Sequence, residues 1–356
     1  MYGVIMAGGS GTRFWPKSRE SRAKQFLPIL GRKTLIQQTV DRFAEIIGRE
    51  NLFIVAKREQ QPLFERQTVR IPEANFIYEP QGKDTAPCIG LAAVTLHKMD
   101  PESVMIVTPS DHLIRKLTKF KRSILAAGQL AREENAFVTL GIVPDRPATG
   151  YGYIQIGAKA GSFCGVDAFR VKTFAEKPNL ETANVFLKSG DFFWNSGIFV
   201  FKTAVLLGAF EEFLPDLYDG LCEIRDALDT PRYEEAIKRV YQQIRSISID
   251  FGVMEKAKNV FCVRGSFEWN DLGSWEQVYK LSDKDAQGNA AEGNAVLIDT
   301  RNVFVSNDSG VVALLGMENV VVVQEGNVTL VCRMDRTEDV KRVVDRLKRK
   351  KNEQYV

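Results

Sequence analysis

The sequence predicts an α/β protein with a mixed, mostly parallel sheet and a small β-helix-like domain behind it. Three observations carry this reading. Short β-branched runs alternate with helical patterns over the first half of the chain, a glycine-rich loop follows the first of those runs, and the last quarter changes to closely spaced, very short strand-like segments.

The β-branched runs lie at residues 3–6, 52–56, 75–78, 103–108 and 136–143, each short and apolar enough to be buried on both faces. Between the first two, Thr34 can cap a helix whose apolar positions Ile36, Val40, Phe43 and Ile47 fall at spacings of three and four. This is a βαβ start, and its repetition makes the sheet Rossmann-like. In such sheets a ligand sits beyond the carboxyl ends of the strands, which directs attention to the loops after Met6, Tyr78, Thr108 and Val143. Two further strand-like runs surround Phe174-Ala175-Glu176-Lys177-Pro178 and Trp194-Asn195-Ser196-Gly197, and 206–245 reads as helices. These elements make up a first domain over 1–281. A polar stretch, 282–293, precedes the runs at 295–298, 303–305, 311–315, 320–323 and 328–331, whose regular spacing predicts a stacked-strand domain over 282–336. The tail, 337–356, carries Val340, Val343, Val344 and Leu347 at helical spacing among many basic residues. It reads as a solvated helix packed on the β domain, not as a membrane or nucleic-acid element.

Composition narrows the classes of function. The chain has 356 residues, and 48 basic side chains against 45 acidic ones leave a net charge of +3, which does not supply the long basic stripe of a duplex-binding protein. No nucleic-acid partner is expected. The first apolar run, 4–7, has neither the basic flank nor the length of a signal peptide, and no run approaches membrane-spanning length, so no membrane role and a cytoplasmic location are expected. Five scattered cysteines without a C-x-x-C pair indicate neither a disulfide framework nor a zinc knuckle. With only His97 and His112, carboxylates, lysines and arginines are the better candidates for chemistry.

Directly after the first strand comes Ala7-Gly8-Gly9-Ser10-Gly11-Thr12-Arg13, where missing side chains let backbone N–H groups approach a phosphate or a flat base. It has the spacing of neither a Walker A loop nor a dinucleotide fingerprint. Arg13, Lys17, Arg19, Arg22 and Lys24 follow within twelve residues, a crowd of cations that calls for an anion to offset its repulsion. A triphosphate fits.

The run Gly8-Gly9-Ser10-Gly11-Thr12-Arg13-Phe14-Trp15-Pro16, followed by Lys24-Gln25-Phe26, resembles the signature of the sugar-phosphate nucleotidylyltransferases. Its Phe-Trp-Pro and Lys-Gln-Phe wording is similar to the mannose-1-phosphate guanylyltransferases among them. The resemblance extends to about residue 281 and implies the nucleotide-diphospho-sugar transferase type of fold. It also implies that Ala7, Gly8, Gly9, Ser10, Gly11 and Thr12 embrace a nucleotide while Arg13 and Lys24, the catalytic pair, bind its phosphates. Glu79-Pro80-Gln81-Gly82-Lys83-Asp84-Thr85 stands where the family reads the base, placing Gly82, Asp84 and Thr85 at the nucleotide. GTP-using members more often carry Arg-Asn where Lys83-Asp84 stands here, although a carboxylate at Asp84 can accept from the N1–H and N2–H donors of guanine.

Pro109-Ser110-Asp111-His112 and Trp269-Asn270-Asp271-Leu272-Gly273-Ser274-Trp275 resemble the two segments that supply the family's metal ligands, Asp111 and Asp271, and Mg²⁺ prefers such a set of few carboxylates completed by waters and phosphates. Thr149-Gly150-Tyr151-Gly152-Tyr153-Ile154, Glu176-Lys177-Pro178 and Trp194-Asn195-Ser196-Gly197 look like its sugar-phosphate segments, which assigns Gly150, Tyr151, Glu176, Lys177, Asn195 and Gly197 to that substrate. The implied reaction takes GTP and mannose 1-phosphate to GDP-mannose and diphosphate. Glucose 1-phosphate with UTP, dTTP or ATP is the alternative within the same chemistry. An inactive, nucleotide-sugar-sensing regulatory subunit is the alternative outside it, although such a subunit would lose a metal ligand or the arginine, and all are present here. Some relatives carry a C-terminal isomerase barrel that needs histidines, and this chain has none after His112. A homodimer is expected, built with the β domain.

Overall fold

A computed structural model describes every residue except Ser10 and Thr68, together with the side chain of Glu353. The chain divides into two compact units, one of Met1–Gly8, Thr39–Ser110 and Ile114–Trp269, the other of Gly9–Gln38, Asp111–Leu113 and Asn270–Val356.

Among the described residues eleven strands come first in chain order: β1 (Tyr2–Met6), β2 (Leu52–Lys57), β3 (Phe76–Glu79), β4 (Val104–Pro109), β5 (Leu113–Arg115), β6 (Phe137–Ile142), β7 (Tyr153–Phe163), β8 (Val166–Ala175), β9 (Phe192–Lys202), β10 (Val260–Gly265) and β11 (Glu268–Asn270). Nine of them form one sheet in the order β3-β2-β1-β4-β9-β6-β10-β8-β7. The expected runs are therefore strands, and β1 to β4 pair in parallel as the alternation with helices requires. Because those four run the same way, Met6, Glu79 and Pro109 end at one edge of the sheet, where ligands of such folds collect.

Direction changes at β9, which lies antiparallel between β4 and β6. This reversal brings Trp194 opposite Ile142 and Asn195 opposite Gly141, at the carboxyl end of β6. Tyr153 at the start of β7 pairs with the same Trp194, so the segments around Tyr151 and Asn195 become neighbours.

One face of the sheet is covered by the helices Thr85–Met99, Thr203–Phe213, Pro215–Ala227 and Tyr233–Gln243, whose Ile89, Leu206, Phe210, Leu221 and Tyr241 join Val4, Val55 and Met105 in a continuous apolar core. Burying each such side chain contributes on the order of 2 kcal/mol. The helix Leu35–Ile47 starts as expected, with the Thr34 hydroxyl accepting from the Gln37 N–H and the Gln37 side chain accepting from the Thr34 N–H, a reciprocal cap.

The second unit holds β12 (Ala290–Glu292), β13 (Ala295–Ile298), β14 (Phe304–Asn307), β15 (Val312–Leu315), β16 (Val320–Glu325) and β17 (Val328–Arg333). Parallel pairing of β12 with β14, β14 with β16 and β13 with β15 stacks successive coils, and β17 closes the stack antiparallel. Phe304, Val321, Val323 and Leu330 point inward and meet Phe14, Trp15, Leu27 and Trp275 from the other segments of this unit. The closing helix, Val340–Arg349, lays Val340 and Val344 on that core and leaves its basic residues outside.

Candidate active site

The glycine loop of the second unit is shaped by two residues. Gly11 has φ 62° and ψ 35°, a left-handed conformation, and any side chain there would collide with the Cβ of Lys24. The chain then turns through Thr12–Phe14, and Phe14 is buried edge-on against Trp275 with ring centroids 5.0 Å apart. Trp275 in turn donates its indole N–H to the Trp15 carbonyl at 3.2 Å, so the loop is pinned to the apolar core beneath it.

Lys24 is only 6% exposed. Its Nζ lies 2.8 Å from Asp111 Oδ2, donates to the Asp271 carbonyl at 2.6 Å and stands 5.6 Å from the Phe14 ring centroid. Gly11, Thr12, Arg13, Lys24, Asp111 and Asp271 together line a cleft of about 280 Å³. Burial alone would push the Asp111 carboxyl up, but the Lys24 ammonium, aided by His112 and by the hydrogen bond from Lys24, holds it below the ordinary carboxylate range. Asp111 is therefore an anionic, acceptor-only group at neutral pH.

Two carboxylates at one cleft suit a hard divalent cation that takes its remaining ligands from water and phosphate. Among the described residues no group of three or more His, Cys, Asp or Glu side chains could form a complete protein cage. The donor set thus fits an ion that arrives with a phosphate-bearing substrate. The spot already holds a cation, since the Lys24 ammonium sits between the Asp111 carboxylate and the Asp271 carbonyl.

Part of the anionic offset that the five neighbouring cations call for comes from the protein itself. Lys17 donates to Ser306 Oγ at 2.6 Å and lies 3.7 Å from Glu292, Arg22 pairs with Glu325 at 2.9 Å, and Arg19 donates to the Pro16 and Gln354 carbonyls. Acceptors from the β strands and the tail offset that charge, so Arg13 and Lys24 are the members of the set that line the cleft.

The first unit holds the remaining candidates. Ala7 extends β1 by donating its N–H to the Val55 carbonyl at 2.8 Å, and Gly8 follows it, above Glu79. Ser10 lies outside the described residues. Gly82 is exposed, while Asp84, with φ 69°, caps the helix Thr85–Met99 by accepting from the Thr85 N–H at 2.7 Å. That bond commits one Asp84 oxygen to the backbone, and Thr85 Oγ1 accepts from the Ile249 N–H at 2.8 Å.

Near the carboxyl end of β6, Gly152 lies against two of the candidates. A Cβ there would lie 2.6 Å from Glu176 Oε2 and 3.5 Å from the Asn195 Cβ. Glu176 and Asn195 thus both border Gly152. Beside them Gly150 is open to solvent, and Tyr151 is buried edge-on between Trp194 and Trp269, with centroids 5.0 and 5.1 Å away. Arg146 stacks over Trp194 at 4.8 Å. Glu176 Oε1 receives the exposed Lys177 ammonium at 2.5 Å. Asn195 Oδ1 accepts from the Gly197 N–H at 3.1 Å and from Thr139 Oγ1 at 3.3 Å, while its Nδ2 donates to Asp250 Oδ1 at 2.7 Å.

Sequence reasoning assigned no role to Asp250, Arg146 or Glu79. Asp250 opens a π-helical turn, Asp250–Met254, a local form often found at functional sites, but nothing in Ile249-Asp250-Phe251-Gly252 announces it. Burial, and then the Glu176 charge, raise the Asp250 carboxyl to about 6 against the opposing hydrogen bond from Asn195. Glu79 could have been noticed as an acidic residue closing an otherwise apolar strand.

Residues 2–288 match the family model described as Nucleotidyl transferase, and residues 293–347 match the MannoseP isomerase/GMP-like beta-helix domain. The chain is 36% identical over 355 residues to a mannose-1-phosphate guanylyltransferase of Escherichia coli, an alignment that spans 99% of this chain and 75% of that protein. It is 37% identical over 351 residues to the xanthan biosynthesis protein XanB of Xanthomonas campestris pv. campestris, covering 97% of this chain and 73% of the relative. A crystal structure from Thermus thermophilus, described as a mannose-1-phosphate geranyltransferase, superposes with a TM-score of 0.88 at 34% identity and covers 98% of this chain and 99% of that one. The chain therefore belongs to the nucleotidyl transferases, and within them to the mannose-1-phosphate guanylyltransferase family.

Proposed function

We propose that the protein transfers the guanylyl group of GTP to α-D-mannose 1-phosphate, releasing diphosphate and GDP-mannose. One observation carries the reading: in a chain of this family, the cleft beneath the glycine loop gathers Arg13, Lys24, Asp111 and Asp271, the residue types a nucleoside triphosphate and its counter-cation require.

A phosphate oxygen of the sugar phosphate attacks the α-phosphorus of GTP in line. A new O–P bond forms, the bond from the α-phosphorus to the bridging oxygen of the β-phosphate breaks, and diphosphate leaves with that electron pair. The attacking oxygen is already anionic near neutral pH, so no general base is needed. The work is to bring two polyanions together and stabilise charge on the phosphoryl group. Backbone groups of Ala7, Gly8, Gly9, Gly11 and Thr12 embrace the nucleotide, Arg13 and Lys24 bind its phosphates, and the loop with Gly82, Asp84 and Thr85 meets the base. Gly150, Tyr151, Glu176, Asn195 and Gly197 hold the sugar, with Lys177 on its phosphate.

Magnesium is the proposed ion, with Asp111 and Asp271 as its protein ligands. When bound it supplies positive charge to the phosphate oxygens. Residues 1–281 make up the proposed catalytic part, with 282–336 and 337–356 as its support. A homodimer is the proposed assembly, in keeping with the commonest symmetry of soluble oligomers. The proposed site of action is the cytoplasm.

The test is diphosphate release from the purified protein with Mg²⁺, pairing GTP, ATP, UTP, CTP and dTTP in turn with mannose 1-phosphate and glucose 1-phosphate. Release confined to GTP with mannose 1-phosphate is the expected result. Another preferred pair overturns the specificity, and silence everywhere overturns the activity.

A further inference from the structure

Asp250 lies where two parts of the first unit are stitched together. Upstream of it, Ile247 donates its N–H to the Lys83 carbonyl at 3.2 Å and accepts from the Ala86 N–H at 3.1 Å, and Lys83 Nζ donates to the Ile244 carbonyl at 3.0 Å. Residues 244–249 thus run along the loop that follows β3. Downstream, Val253 and Met254 are buried in the core, so the π-helical turn is held at both ends. Its first residue reaches β9, where the Asp250 carboxylate accepts from Asn195 Nδ2 at 2.7 Å.

The partners of Asn195 determine which way its amide faces. The Gly197 N–H can only donate, so the atom it meets is the oxygen, and Thr139 Oγ1 adds a second donor to that oxygen. The nitrogen then faces Asp250, which as a carboxylate can only accept. One N–H of Asn195 is committed to Asp250 and one remains. Glu176, an acceptor, borders the space beside Gly152 together with the Asn195 Cβ, and its charge reaches Asp250. A single N–H donor beside a carboxylate is the pairing that takes up a sugar hydroxyl, which accepts one hydrogen bond and donates another. The charges of Glu176 and Asp84 both reach Asp250, and Lys177 pairs with Glu176.

We infer that Asp250 is a positioning residue of the sugar pocket: by holding Asn195 Nδ2 it keeps that amide turned so that its second N–H, next to the Glu176 carboxylate, can receive a hydroxyl of the hexose. This rests on the proposed function, because the hexose phosphate is the substrate assigned to these residues.

The test compares wild type, Asp250→Asn and Asp250→Ala by steady-state kinetics with GTP and mannose 1-phosphate, alongside melting temperatures. The asparagine variant still offers a carbonyl oxygen to Asn195, whereas the alanine variant offers none. The expected result is a KM for mannose 1-phosphate raised about three- to tenfold in Asp250→Ala, the size of one lost hydrogen bond between neutral groups. The KM for GTP stays within about twofold, and Asp250→Asn restores most of the sugar affinity. Should the alanine variant fail to fold, Asp250→Ser, too short to reach Asn195, takes its place. An unchanged sugar KM, an equal rise for both substrates, or an asparagine variant as impaired as the alanine one overturns the inference. Wild-type protein that releases no diphosphate from this pair overturns the functional reading, and the inference with it, whereas an active wild type with an insensitive variant overturns the inference alone.

Discussion

Glu79 closes β3 with 2% of its surface exposed, and its replacement by glutamine should stabilise the protein in a strongly pH-dependent way. Tyr241 donates its hydroxyl to Glu79 Oε1 at 3.0 Å. Burial pushes the Glu79 carboxyl up from 4.5 to about 7, although the hydrogen bonds from Tyr241 and Cys88 and the charge of Lys57 oppose the rise. Below about pH 4.5 both folded and unfolded chains hold this proton and the group makes no difference. Between that pH and about 7 the unfolded chain ionises while the folded one stays protonated, so stability is lost as pH rises, and above about 7 the full cost is present. At about 1.36 kcal/mol per unit, the cost near pH 8 is on the order of 3 kcal/mol. A glutamine keeps an oxygen for the Tyr241 hydroxyl and has no charge to desolvate. Urea unfolding of wild type and Glu79→Gln, followed by circular dichroism and tryptophan fluorescence, should give a variant more stable by about that amount near pH 8, with most of the gain gone near pH 5. An equal gain at both pH values, or none near pH 8, would refute the reasoning.

Asp111→Asn and Asp271→Asn should each lower kcat by about two orders of magnitude or more while circular dichroism stays native, and near-normal turnover in either would remove that residue from the metal site. Because the folded Asp111 carboxyl is held below its ordinary 3.8, the stability it supplies is present above that value and lost as pH falls through the lower one, so Asp111→Asn should also flatten acid unfolding in that range. Lys177→Ala should raise the KM for mannose 1-phosphate about tenfold with little change for GTP, and the reverse pattern would exchange the two phosphate sites. Gly11→Ala forces a side chain into a left-handed position already filled by Lys24, and GTP binding measured by calorimetry should weaken at least tenfold, whereas unchanged affinity would show that the loop conformation is not needed.

Much of the fold could be read from the sequence alone because it rests on local patterns. Leu52–Lys57 and Val104–Pro109 are β-branched and buried on both faces, the Thr34 cap and the apolar stripe behind it announce the helix Leu35–Ile47, and Gly11 marks a turn only glycine makes comfortably. Family wording brought Arg13, Lys24, Asp111, Asp271, Glu176 and Asn195 forward without any geometry. Only the tertiary structure decided which of these meet. That β9 runs antiparallel between β4 and β6 leaves no trace in its side-chain alternation, which is the same for either direction, yet this reversal is what carries Asn195 to the carboxyl end of β6. The Lys24–Asp111 pair, the Arg22–Glu325 pair and the bond from Asn195 to Asp250 join residues far apart in the chain. A charge in a sequence shows what it could bind, but burial and neighbours determine what it does bind. For that reason the charge of Lys17, Arg19 and Arg22 called for an anion in the sequence and found its acceptors only in the fold, and Asp250 carried no signal until the fold brought it to Asn195.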